Sequence, residues 1–102
     1  MSDPFAWWRA ALAGLKPRTY ETAECGYFKM RDRRGLNKNL APIKRPWIAC
    51  AIWLDEAGEM KAELAGTAVE VDRLWPWAAK YPISFEDYAY WHQHERFPEK
   101  AA

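Results

Sequence analysis

Between Lys29 and Trp47 the chain gathers seven cations, Lys29, Arg31, Arg33, Arg34, Lys38, Lys44 and Arg45, against one acid, Asp32, a local charge of +6. Asn37 and Asn39 lie inside the run, and Trp47 stands at its end. Lys and Arg grip phosphate backbones by displacing condensed counterions, amides reach phosphate or sugar oxygens, and an indole stacks on an unpaired base. The same donors suit the carboxylates of an acidic protein surface. The plain alternative is a long loop charged for solubility, its cations paired with acids elsewhere in the chain. These seven cations and Trp47 form the candidate partner-binding set. Nothing resembles a helix-turn-helix or a zinc finger, which argues against a reader of duplex sequence.

Other chemistry is thin. His92 and His94 are two apart, and on a helix that spacing turns their side chains about 200° from each other, so one ion cannot take both. Cys25 and Cys50 each sit in an apolar, strand-like run rather than in a C-x-x-C. Two cysteines cannot complete a four-ligand zinc site, and buried thiols stay protonated and inert. Asp55/Glu56 and Glu86/Asp87 are explained by a turn and by a helix start, where the dipole favours negative charge. The five glycines are scattered, with no phosphate-cradling loop. No catalytic, cofactor-binding or metal-ligating residue is assigned, and a non-enzyme is expected.

The net charge of +1 hides an asymmetry. Residues 1–45 hold ten Lys/Arg against four Asp/Glu, a charge of +6; residues 46–102 hold five against ten, a charge of −5. Such a split can guide a partner, or the halves can neutralise each other. The start of the chain lacks the charged segment and apolar run of a signal peptide. No run approaches the roughly 18 apolar residues that cross a bilayer. Two free thiols fit a reducing compartment, so a cytoplasmic protein without a membrane partner is expected.

The elements that must position these residues read as follows. Asp3-Pro4 opens a helix within residues 1–17, with Phe5, Trp8, Leu12 and Leu15 in one stripe and Pro17 as its stop. Its polar face holds only Arg9 and Lys16, so it reads as packed on the domain rather than on a membrane. Residues 23–31 alternate as a strand, Tyr27, Lys29 and Arg31 opposite Gly26, Phe28 and Met30. Residues 32–46 form the basic loop. "WIACAIWL", residues 47–54, is apolar on both faces and reads as a central strand covered on both sides. "DEAGE" is a hairpin turn around Gly58, residues 60–64 return, and residues 68–71 add a short edge strand. "DRLWPWAAK", residues 72–80, reads as a non-helical link because of Pro76, with Trp75 and Trp77 wedged between sheet and helix. Ser84 caps a helix within residues 83–97, with Asp87 three residues on in a near capping box and Ile83 and Tyr88 as a staple. The sixteen aromatics, each able to bury about 150–250 Å², are expected mostly in the core. The whole is a single small α+β domain over residues 1–102: a three- or four-stranded, mainly antiparallel sheet flanked by an N-terminal and a C-terminal helix.

Three segments, "CGYFKMR", "WIACAIWLDEAGEM" and "VEVDRLWPWAAKYPISFEDY", resemble a group of short uncharacterised proteins encoded by phages and prophages of proteobacteria. The shared features are a Gly-aromatic strand, an "AIW" strand, and a Trp-containing segment leading into a "PIS..EY" helix, over about residues 24–90. The resemblance implies a bacterial host cytoplasm and a phage accessory role, and it assigns no reaction and no functional residue. The expected function is therefore a non-catalytic accessory protein that binds nucleic acid or an acidic host protein surface through the basic loop. The alternatives are a protein-binding inhibitor of a host defence system, akin to an anti-CRISPR, or a small structural component of a virion.

Overall fold

In a computed structural model, residues 3–15, 22–34, 40–41 and 44–98 are described. The order is α1 (Ala6–Leu12), β1 (Gly26–Arg31), β2 (Trp47–Leu54), β3 (Met60–Leu64), β4 (Thr67–Val69), α2 (Val71–Ala78) and α3 (Phe85–His94). The four strands form one antiparallel sheet in the order β1-β2-β3-β4. The fold is α+β, as the sequence predicts. Among the described residues no helix is long and apolar enough to cross a membrane.

Strand β2 is apolar on both sides because both sides are covered. Ile48 through Ile52 are all buried, while Trp53 and Leu54 extend past the last β1 pairing, Gly26 with Ile52, and are exposed. On one face Phe28, Met30, Ile48, Cys50 and Ile52 meet Leu74, Trp75 and Ala78 of α2. Trp7 of α1 joins them, 5.2 Å from Trp75 and 6.4 Å from Phe28 between ring centroids. On the opposite face α3 lays Tyr88 against Tyr27, and Trp91 Nε1 donates to the Trp47 carbonyl at 3.2 Å.

Tight turns follow local chemistry. Asp55 Oδ1 accepts the amides of Ala57 and Glu59, closing the β2–β3 hairpin around Gly58 at φ +81°. Ala65 and Gly66, both at positive φ, make the two-residue β3–β4 loop. Ser84 Oγ accepts the Asp87 amide at 3.1 Å, which is the expected N-cap.

Several boundaries differ from expectation. Helix α1 is shorter than residues 1–17, ending at Ala13 and Gly14. It also starts later than Asp3-Pro4 suggests: Phe5 is its N-cap, with no side-chain cap bond, and Asp3 takes the Phe5 amide just ahead of the helix. Of the expected stripe, Phe5 and Trp8 are partly buried but Leu12 and Leu15 are exposed, because only the first turn reaches β1. Pro17 lies outside the described residues. Helix α3 ends at His94, where Glu95 adopts the left-handed conformation, rather than at residue 97. The edge strand is Thr67–Val69 rather than residues 68–71.

The link over residues 72–80 is the clearest correction, since it contains α2 with Pro76 inside. An interior proline loses one hydrogen bond and crowds the preceding turn, costing about 3 kcal/mol or more. Burial of Leu74, Trp75 and Ala78 offsets this, at about 1.5–3 kcal/mol for each large side chain. Trp75 is a core residue as expected, whereas Trp77 is 47% exposed and does not wedge.

Candidate functional site

The register of β1 on β2 sets Arg31 directly across from Trp47 and Lys29 across from Ala49. The small Ala49 leaves room above the strand, and both cations lean over the indole. Arg31 Cζ lies 4.0 Å and Lys29 Nζ 4.6 Å from a Trp47 ring centroid. Tyr81 meets the same indole edge-on at 4.9 Å, and Phe97 comes within 5.8 Å of Lys29 Nζ. Trp47 is thus half-buried and covered by the protein's own groups, not an open platform.

Arg31 Nη1 donates to the Arg45 carbonyl at 2.8 Å, and Arg45 Nε donates to the Leu40 carbonyl at 3.0 Å. Arg45 is buried and braces the loop, which is a structural task. Asp32 is 2% exposed and takes Arg34 in a two-point grip, Nε on Oδ1 and Nη2 on Oδ2, both at 3.0 Å. It also accepts the Arg34 amide at 2.9 Å. The hydrogen bond to Asp32 raises the Arg34 pKa further above its ordinary value. Arg33 is exposed, its Cζ 3.8 Å over the Trp77 ring of α2. Lys44 is exposed at the same end, and Lys38 lies outside the described residues.

The candidate set therefore divides. Lys29, Arg31 and Trp47 cluster on one side of the sheet's end, and Arg33 and Arg34 reach the other. There they rim a pocket of about 330 Å³, with Met30, Leu74 and Trp77 among its lining and Arg73 as a third cation. Sequence reasoning missed Trp77 and Arg73 as site residues. Their spacing of four is the signal that would have paired them, had residues 71–78 been read as a helix. The ion pairs Arg34–Asp32, Lys61–Asp55, Lys61–Glu59 and Arg73–Glu70 each join partners within the same charge half. None of these ion pairs joins the two halves, although Glu95 of the acidic half acts on Arg34 through its charge.

A second polar cluster lies under α3. The Glu63 carboxylate accepts the Tyr88 hydroxyl and the Gly66 amide, with His92 Nε2 3.4 Å away. It ties the β3–β4 turn to the helix. Burial, then the Glu63 hydrogen bond and charge, push the Tyr88 phenol well above its ordinary pKa. Burial, with a smaller push from Glu63, does the same to the Cys50 thiol, and burial with Glu24 raises Cys25. These groups stay protonated at neutral pH and supply no ready nucleophile. The two cysteines are free and buried, as expected. His94 stacks near Tyr90, apart from the Glu63 contact of His92, and no group of three His, Cys, Asp or Glu converges among the described residues.

A groove of about 980 Å³ is open and edged by Trp53, Met60 and Val71 with charges of both signs, Lys61, Glu70 and Asp72. The pocket at the basic end sets an apolar recess among three arginines, two of them paired with Asp32 and Glu70. No family model, curated protein or solved structure matches this chain, so the site is read from its own geometry.

Proposed function

We propose that this protein is a non-catalytic binding module that grips single-stranded nucleic acid with the basic end of its sheet. One observation carries the reading: Lys29, Arg31 and Arg33 rest on indole faces rather than on carboxylates. A ring holds a cation in place, for about 0.5–1 kcal/mol at an exposed site, without cancelling its charge. The charge stays available to displace phosphate counterions. Guanidinium planes and the open Trp77 engage bases whose faces are exposed, which a duplex hides in its stack. The resemblance to short phage-encoded proteins supports an accessory role in the cytoplasm of a bacterial host.

The test is fluorescence anisotropy with a labelled single strand and its duplex, titrated between about 50 and 200 mM salt. Three or four phosphate contacts give a log–log slope of about −2 to −3, and each contact removed flattens it by about 0.7. Joint replacement Lys29→Gln, Arg33→Gln and Lys44→Gln should flatten the slope and weaken binding. Absence of strand binding, or binding indifferent to salt, overturns the proposal.

A second reading is an acidic protein surface, as for an inhibitor of a host defence complex. The apolar floor of the pocket, Met30 and Leu74, favours it, because a protein partner can insert an apolar side chain there. That reading predicts a stoichiometric complex with one host protein that survives nuclease treatment.

A further inference from the structure

The pocket between α2 and the sheet has a dry floor and a cationic rim. Met30 and Leu74 are nearly fully buried at its base, and Leu64 and Val69 are half-buried walls. Arg33, Arg34 and Arg73 surround it, with Trp77 standing open beside them. All three rim cations are arginines, whose planar forks match phosphate in two-point contacts where lysine offers only a point charge.

Resting on the single-strand reading, we infer that this pocket takes one unpaired nucleotide, its base laid on Trp77 and Arg33 and its phosphate held by Arg34 and Arg73. The volume, about 330 Å³, sits at the lower end of ligand sites, room for one flat ring system and too small for a helix. Arg34 is pre-aimed: the buried Asp32 holds its Nε and Nη2 and Glu95 acts on it from farther off, so a phosphate oxygen would meet the guanidinium at its Nη1 edge in competition with that carboxylate. Arg73 is tethered only loosely, its Nε 3.5 Å from Glu70, with both side chains mostly exposed. Such a pair holds at most about 1 kcal/mol, so a phosphate can replace the carboxylate. The Arg33 guanidinium covers one face of the Trp77 ring at 3.8 Å, so a base stacks on the outer plane of that guanidinium or on the indole face left exposed. The floor offers no hydrogen-bonding side chain, so the base is held by its face and not its edges. The pocket should therefore discriminate weakly among bases.

The experiment compares three ligands on the intact chain by anisotropy and competition: labelled oligothymidylate, the same length of strand carrying abasic sites, and an acidic peptide with one central Trp. Trp77→Ala should weaken the intact strand by about 5- to 100-fold, the loss of one base stack, and leave the abasic strand unchanged. Trp77→Phe should recover most of that loss, and Arg73→Gln should weaken both strands alike. Trp77 is exposed, so circular dichroism of each variant should match the parent. If both strands bind equally and Trp77→Ala changes neither, the pocket inference is overturned while strand binding stands. If neither strand binds, both proposals fall. If the peptide alone binds and depends on Trp77, the pocket is a protein-anchor site and the nucleotide inference is overturned.

Discussion

Gly26 opens β1 at the point where Trp8 of α1 crosses it, and a Cβ built there would lie 2.6 Å from Trp8 Cγ and Cδ1 and 2.7 Å from its Cβ. Those atoms are the stem of the side chain and cannot swing aside without moving the indole. The indole is tied on its far side, because Nε1 donates to the carbonyls of Tyr27 and Ile83, both at 3.0 Å. It also meets Tyr27 edge-on at 5.3 Å. Gly26→Ala therefore overpacks this contact, for about 1–3 kcal/mol. It also strains or breaks the single bifurcated hydrogen bond of the Trp8 indole N–H, worth about 0.5–1.5 kcal/mol. Against this stands about 0.4–1 kcal/mol gained by stiffening the unfolded chain. The net expectation is a loss of about 1–3 kcal/mol, which lowers a urea midpoint by about 1–2 M. Urea titration followed by far-ultraviolet circular dichroism reads it directly. Combining Gly26→Ala with Trp8→Ala should cost less than the two changes summed, with a coupling of about 1 kcal/mol or more. A Gly26→Ala protein as stable as the parent would refute the seating of Trp8 on β1, and with it the docking of α1.

Pro76→Ala should stabilise the protein by about 1–2 kcal/mol in the same titration, since it relieves an interior proline but frees the unfolded chain; destabilisation would mean that the ring itself is needed in α2. The raised pKa values set an alkaline limit. A group protonated more firmly when folded supports stability below its unfolded pKa and loses that support as pH rises toward the folded value. Stability should thus fall above about pH 8.5, as the Cys25 and Cys50 thiols ionise in the unfolded chain, and again above about pH 10 for Tyr88. Tyr88→Phe should remove the upper step in a pH series of urea midpoints. A thiol reagent such as Ellman's should leave both cysteines unmodified in native protein and titrate two after unfolding, since they are 1% and 0% exposed; rapid native modification would contradict their burial.

The amino-acid pattern alone determined the sheet and its best-capped helix. The two-faced run at residues 47–54, the period-two alternation of residues 23–31, of which Gly26–Arg31 pair as β1, and the Ser84 cap are local signals, each written in neighbouring side chains. The content of the basic segment was equally legible, because charge is a property of composition. What tertiary structure alone decided is which of those charges are free to work. Arg45 was drawn inward to brace the Leu40 carbonyl, and Trp47 was roofed by Lys29 and Arg31. Pro76 masked a helix whose burial outweighs a local penalty, and that helix brought Trp77 and Arg73 to Arg33 from some forty residues away in the chain. Contacts of that sequence separation depend on how two surfaces fit, and local spacing holds no record of the fit.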